Sequence, residues 1–252
     1  MRSYVSKMVS STRLPPREKR AAAIEAAGYN VFNLDAEAVY VDLLTDSGTG
    51  TMSDEQWAAL FRGDEAYAGS SSFAALEEAV ESVMGFEHVV PAHQGRGAEN
   101  ILYGTLFEDG DVVPNNTHFD TTRAHVANAG ATPVDCPVEG AMDPDADGDF
   151  KGNLDLDCVR AVVEEHGVEA VPAIVLTITN NSAAGQPVSI ANTRAAKDLA
   201  DELGVPLVLD ACRFAENAHF VKQREAGYGD VAVAEIAREQ LSYADALVMS
   251  AK

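Results

Sequence analysis

Five short segments carry residue types whose chemistry converges on one task. Gln94-Gly95-Arg96-Gly97 stands between an apolar run and a helical pattern. Glycines there let main-chain N–H groups approach an anion, the helix start favours negative charge, and Gln94 or Arg96 can close over a single phosphate. No Gly-Lys-Ser/Thr follows, so this is not a nucleoside-triphosphate loop. Asp210 closes the apolar run PLVLD, with Arg213 three residues later. A buried carboxylate can hold a cationic ring nitrogen while the guanidinium neutralises a nearby oxyanion, a charge-assisted bond of about 1.5–3 kcal/mol. Phe119 can stack on a flat ring, and Asn181 can bond a ring substituent or a carboxylate. Ser250-Ala251-Lys252 brings a lysine after a strand, a residue type that forms imines.

Each segment also has a plain structural alternative. A GxG turn can be tight geometry alone, Asp210 a helix cap, Phe119 core, Asn181 a turn residue and Lys252 a solvated side chain. Taken together they compose the parts of a pyridoxal phosphate site: phosphate cup, ring stack, pyridinium carboxylate and lysine strand.

The elements that must position these residues follow from periodicity. LPPREKRAAAIEAAG (14–28) reads as a helix begun by Pro15 and Pro16 and stopped by Gly28. Residues 42–50 run from an apolar stretch into small polar residues, a strand or turn entering a loop. Ser53 caps the next helix, and another spans 72–84 before Gly85. Short apolar strands are expected at 88–92, 132–138, 173–179, 206–211 and 246–251, with helices at 96–108, 155–167, 189–204 and 213–226 between them. Such alternation implies an α/β fold, a mostly parallel sheet with helices on both faces. Ligands in such a sheet sit beyond the carboxyl ends of the strands, where the segments at 93–97, 180–182, 210–213 and 250–252 fall.

Composition narrows the class. The 252 residues carry 18 Lys+Arg against 40 Asp+Glu, a net charge of −22. That argues against nucleic acid or anionic membrane as partner and suggests a salt-rich cytoplasm, where self-repulsion is screened. The apolar runs are too short to span a bilayer, and no signal-peptide pattern opens the chain. Three scattered cysteines, Cys136, Cys158 and Cys212, predict neither a disulfide framework nor a zinc site. A cytoplasmic protein is expected.

The chain resembles the β-eliminating lyases, the family of tryptophanase and tyrosine phenol-lyase. The shared blocks are LLTDSGTGTMS (43–53), GDEAYAGS (63–70), PAHQGRGAEN (91–100), AAGQPVS (183–189), DACRFAENAHFVKQREA (210–226) and YADALVMSAK (243–252). The resemblance implies a fold-type-I PLP-dependent transferase-like architecture. Residues 1–45 would form an arm and helix of a small domain, and 46–252 a PLP-binding large domain. It implies pyridoxal 5'-phosphate bound by Gln94, Gly95, Arg96 and Ser250 at the phosphate, Phe119 on the ring and Asp210 at the ring nitrogen. Arg213 and Asn181 would reach the phenolic oxygen, Asn181 also lying near the substrate carboxylate, with Thr45 near the substrate. Tyr67 would serve a neighbouring subunit's site as proton donor, and Gly48 and Glu65 a monovalent-cation (potassium) site. A homotetramer acting on amino acids is implied. Asp120, after the stacking Phe, and RFAENAHFVKQREA resemble the tryptophanases rather than the phenol-lyases, which implies release of indole, with Asp120 and Tyr67 assisting protonation. Phenol release from tyrosine is the alternative. The family's strand ends Ser-[Ala/Gly]-Lys-Lys-Asp, and its second lysine carries the cofactor. This chain stops at Lys252, the first of the pair, so an incomplete large domain is expected. A third reading follows: a catalytically silent fragment or interaction partner.

Overall fold

The computed structural model describes residues 13–42 and 52–251. These fall into two compact units, one running to Trp57 and the other from Ala58 to Ala251. In the first, α1 (Arg17–Ala26) starts directly after Pro16 as the proline pair requires. Ser53 and Gln56 then exchange bonds, Gln56 N–H donating to Ser53 Oγ at 3.1 Å and Ser53 N–H to Gln56 Oε1 at 2.8 Å. This is a capping box at the head of α2 (Asp54–Arg62).

The second unit continues with α3 (Ser71–Met84), α4 (Gly95–Leu106), β1 (Val112–Asn115), α5 (Asp120–Asn128), β2 (Thr132–Asp135) and α6 (Leu156–His166). It is completed by β3 (Ile174–Thr177), α7 (Ile190–Leu203), β4 (Leu207–Asp210), α8 (Phe214–Arg224), α9 (Val233–Leu241) and β5 (Ala246–Val248). The five strands form one parallel sheet in the order β2-β1-β3-β4-β5. Side-chain alternation sorts the core. Ile174, Leu176, Leu207 and Leu209 face α6, α7 and α9 through Val159, Leu199 and Leu241. Val113, Val175 and Val208 face α4 and α5 through Tyr103, Phe107 and Val126. Both faces are therefore buried, which is why β3 and β4 read as unbroken apolar runs.

Three expectations change. No strand forms at 88–92: Pro91 lacks a ladder donor and Val90 is 75% exposed, so nothing there pairs or buries it. The sheet instead contains β1 at Val112–Asn115, a stretch outside the strands expected from the sequence. Pro114 is accommodated although β1 is flanked by β2 and β3. Finally, Cys136 and Cys158 form a disulfide with a Cα–Cα distance of 5.5 Å. The end of β2 and the start of α6 are brought together by the Asp155 N–H to Cys136 O bond (2.9 Å) and the Pro137–Leu154 bridge. Sequence spacing carries no trace of that approach. Among the described residues no helix is long and apolar enough to cross a membrane.

Asn217 shows how the segment after β3 is fixed. It is wholly buried on α8, its Oδ1 accepting from Val188 N–H (2.9 Å) and its Nδ2 donating to Val188 O and Gln240 Oε1 (both 2.8 Å). Removing the amide strands main-chain groups that have no access to water. Asn217→Ala should lower the unfolding free energy by about 3 kcal/mol, seen as a lower urea midpoint with an unchanged slope.

Candidate functional site

The strand order reverses direction between β1 and β3, since the chain leaves β1 for one edge and builds from β3 towards the other. A crevice opens at such a point, at the carboxyl ends of the strands. Here it is stitched by amides. Asn116 donates to Thr177 O (3.0 Å) and Gly152 O (2.7 Å) and accepts from Thr177 N–H (2.9 Å). Asn180 donates to Thr117 Oγ1 (3.2 Å), and Ser182 Oγ to His118 O (3.0 Å). These side chains tie the turn bearing Phe119 to the turn bearing Asn181.

The glycine turn meets the last strand. Gln94 is the N-cap of α4 in extended backbone, its carbonyl accepting from Gly97 and Ala98 N–H (2.9 and 3.1 Å). Gly95 N–H donates to Ser250 Oγ at 3.1 Å. A Cβ on Gly95 would lie 2.4 Å from that oxygen, so any larger residue would drive Ser250 out of place. Arg96 is exposed beside them. The helix start and a serine hydroxyl thus share one corner, a setting suited to a phosphate.

A second tie runs from α4 to α5. Glu99, only 5% exposed, accepts from the Thr121 and Thr122 hydroxyls (2.7 and 2.5 Å). These two residues follow Phe119, the N-cap of α5, and Asp120, its exposed first residue, whose Oδ1 accepts from Thr121 N–H at 2.7 Å. Glu99 also acts on Asp210, which ends β4 and is 6% exposed. Burial first, and then the Glu99 charge, push the Asp210 carboxyl up to about 6, opposed by hydrogen bonds from Cys212 and the charge of Arg213. Arg213 is half-buried and its N–H donates to Ile178 O (3.3 Å). Tyr103, one turn beyond Glu99 on α4, is buried, its hydroxyl without a hydrogen-bond partner among the described residues. Both carboxylates help raise its phenol above the usual range, after burial itself.

The family model for β-eliminating lyases matches residues 42–252. The chain belongs to the β-eliminating lyase family. It is 63% identical, over its whole length, to a probable tryptophanase of Halobacterium salinarum, covering 56% of that relative. It is 49% identical to a tyrosine phenol-lyase of Pasteurella multocida over 99% of this chain and 54% of that one. The chain therefore spans a little over half the length of the curated relatives it matches. A crystal structure of the SepCysS-SepCysE N-terminal domain complex shares the fold, with TM-score 0.50 at 16% identity over 66% of this chain and 43% of its own. With helices packed on both faces of its five-stranded parallel sheet, the chain has an α/β architecture.

Of the residues the family resemblance singled out, the strand ends gather Gln94, Gly95, Arg96 and Ser250 at one corner. Asp210 ends the neighbouring strand and Arg213 caps α8 after it, while Phe119 and Asp120 open α5 after β1 and Asn181 follows β3. Tyr67 and Glu65 lie elsewhere, on the exposed 63–70 loop, with Tyr67 106% exposed. That loop is anchored by Asp64, whose carboxylate accepts from Ser70 Oγ (2.6 Å), Ser71 N–H (2.9 Å) and Ser72 N–H (3.3 Å) at the head of α3. Thr45, Gly48 and Lys252 lie outside the described residues. Among the described residues no group of three or more His, Cys, Asp or Glu side chains is arranged to hold a metal ion. Sequence reading passed over Glu99 and Tyr103, which share the α4 face below the glycine turn. It also passed over His118, 3% exposed, with Nδ1 2.8 Å from Asp135 Oδ1. Position offered one signal: Glu99 follows Gly95 by one helical turn.

The raised Asp210 pKa has a measurable sign. The folded chain keeps this proton to about pH 6, whereas the unfolded chain loses it near the ordinary carboxyl value of 3.8. The group's contribution to stability is thus complete below about pH 4 and is lost as pH rises through about 6. About two units correspond to about 3 kcal/mol. Asp210→Asn, which resembles the protonated acid, should match the parent near about pH 4 and exceed its urea-unfolding stability by about 3 kcal/mol near about pH 8. A pH-independent difference would remove the assignment.

Proposed function

We propose that this chain is the cofactor-binding part of a pyridoxal-phosphate-dependent β-eliminating lyase that cleaves L-tryptophan to indole, pyruvate and ammonia. The observation that carries this reading is the buried Asp210, its pKa pushed up to about 6, on the same sheet edge as the Gly95–Ser250 corner. A phosphate cup and a ring-nitrogen carboxylate on one edge suit the two ends of pyridoxal phosphate. When bound, that group supplies an electron sink for the carbanion formed at the substrate Cα.

The chain's own residues would divide the remaining work. Gln94, the Gly95 N–H, Arg96 and Ser250 Oγ bind the phosphate, and Phe119 stacks on the ring. Asp210 pairs with the protonated ring nitrogen, a cation that would favour its ionised form. Arg213 and Asn181 bind the phenolic oxygen, and Asn181 and Thr45 orient the substrate. Asp120 and Tyr67 assist proton delivery to the indole ring. The complete exposure of Tyr67 supports a role in a neighbouring subunit of a homotetramer rather than in its own. Gly48 and Glu65 would contribute to a potassium site between subunits. The acidity of the chain suits a salt-rich cytoplasm.

The test joins residues 1–252 to the remaining segment of the Halobacterium salinarum relative and measures indole from tryptophan and phenol from tyrosine, with pyruvate. Indole release should predominate. Asp210→Ala should lower turnover by about a hundredfold or more, the scale of losing a group that stabilises transition-state charge. Dominant phenol release would favour the tyrosine reading. Near-parental turnover in Asp210→Ala would refute the role given to Asp210.

A further inference from the structure

Phe119 and Asp120 sit between residues that one carboxylate fastens from both sides. Asp135 ends β2 and pairs with Asn115 of β1, and the N–H of the next residue, Cys136, donates to Asn115 O at 2.7 Å. The chain leaving β1 folds back over Asp135, so that His118 N–H and Nδ1 both reach its Oδ1, at 2.9 and 2.8 Å. On the far side of the turn Arg123 Nη2 donates to the other oxygen, Oδ2. A carboxylate only accepts, so His118 Nδ1 carries a hydrogen. The His118 side chain is 0% exposed, and its Nε2 has no partner among the described residues. A neutral ring avoids burying an unbonded N–H there, and burial lowers the His118 pKa in keeping with it. Burial works to raise the Asp135 carboxyl, yet the bonds from His118 and the charge of Arg123 hold it below its ordinary value. The His118 carbonyl is held as well, accepting from Ser182 Oγ at 3.0 Å. Positions 118, 121, 122 and 123 are thus each bound to a side chain of another element, Asp135 or Glu99, and Phe119 and Asp120 lie between them.

We propose that Asp135 is a positioning residue that, through His118 and Arg123, clamps the turn carrying Phe119 and holds its aromatic ring ready for a flat ligand. The proposal rests on the reading of Phe119 as the residue that stacks on the pyridoxal ring. A stacking side chain loses freedom when its ligand arrives, and a turn already bound at 118 and 121–123 has less left to lose. His118 supplies the larger share, because its ring is shielded from water. The Arg123 side chain is 44% exposed, and solvent weakens its ion pair.

The experiment uses the intact 252-residue chain with pyridoxal 5'-phosphate as probe, its affinity measured by calorimetry in a double-mutant cycle with Phe119. Asp135→Ala should weaken binding about tenfold, and Arg123→Ala, which alters an exposed side chain, about threefold. In a Phe119→Leu background, which keeps an apolar side chain but no ring, each should change affinity by less than about 1.5-fold. Without cofactor, amide hydrogen exchange at 117–123 should quicken about tenfold in Asp135→Ala and about threefold in Arg123→Ala, while β3 and β4 keep the parental rate. That split separates a local clamp from general loss of stability. Three outcomes would overturn the proposal: equal affinity losses in both backgrounds, exchange quickened alike in 117–123, β3 and β4, or parental behaviour in both variants. If Asp135→Ala does not fold, Arg123→Ala carries both measurements. Should the parent chain bind no pyridoxal phosphate, the functional reading falls, while the exchange measurement still decides whether Asp135 clamps the turn.

Discussion

Two carboxylates, Glu99 on α4 and Asp210 at the end of β4, are buried, and the Glu99 charge acts on Asp210. Leaving both ionised and unpaired in such a place is costly. The structure answers the cost differently at the two sites. Glu99 is met by two threonine hydroxyls at the head of a helix, a position that favours negative charge. Asp210 has the Cys212 thiol and the charge of Arg213, yet its pKa remains raised to about 6. The imbalance leaves Asp210 as the acid that a cationic partner would stabilise most.

The carboxyl edge of the sheet is held rigid by devices that also define its shape. Parallel strands buried on both faces send every crossover around the outside, so the polar ends of β1, β3, β4 and β5 collect at one rim. Between β1 and β3 the ladder alone is sparse, one register pair joining Asn115 and Val175. The side chains of Asn116 and Asn180 supply bonds that backbone pairing does not. Glu99 fastens α4 to α5, and Gly95 fastens α4 to Ser250. A phosphate corner, an aromatic turn and a carboxylate are thereby held on separate elements with little freedom between them, the preorganisation that ligand binding rewards.

Much of this was legible in the chain itself. The 173–179 and 206–211 runs are apolar because both their faces are covered, and they mark β3 and β4. Gly85, with φ of +88°, ends α3 in a left-handed conformation that glycine adopts without strain. Less legible was β1, since a proline argues against an interior strand and VVPNN lacks the length of the other runs. The stretch at 88–92 has strand-like residues but no neighbour to pair with, which local sequence does not disclose.

The sequence by itself determined which chemical groups are present and which way the elements alternate. Apolar periodicity and glycine placement are local properties, and so are the sequence blocks in which the chain resembles the β-eliminating lyases. Tertiary structure alone decided what those groups experience. The pKa of Asp210 depends on Glu99, 111 positions earlier in the numbering, and on the exclusion of water by α4. The Cys136–Cys158 bond depends on β2 meeting α6, and the Cys212 contact with Ser250 on β4 pairing with β5. Electrostatic energy follows distance and dielectric rather than order along the chain, and both are set only when the layers pack.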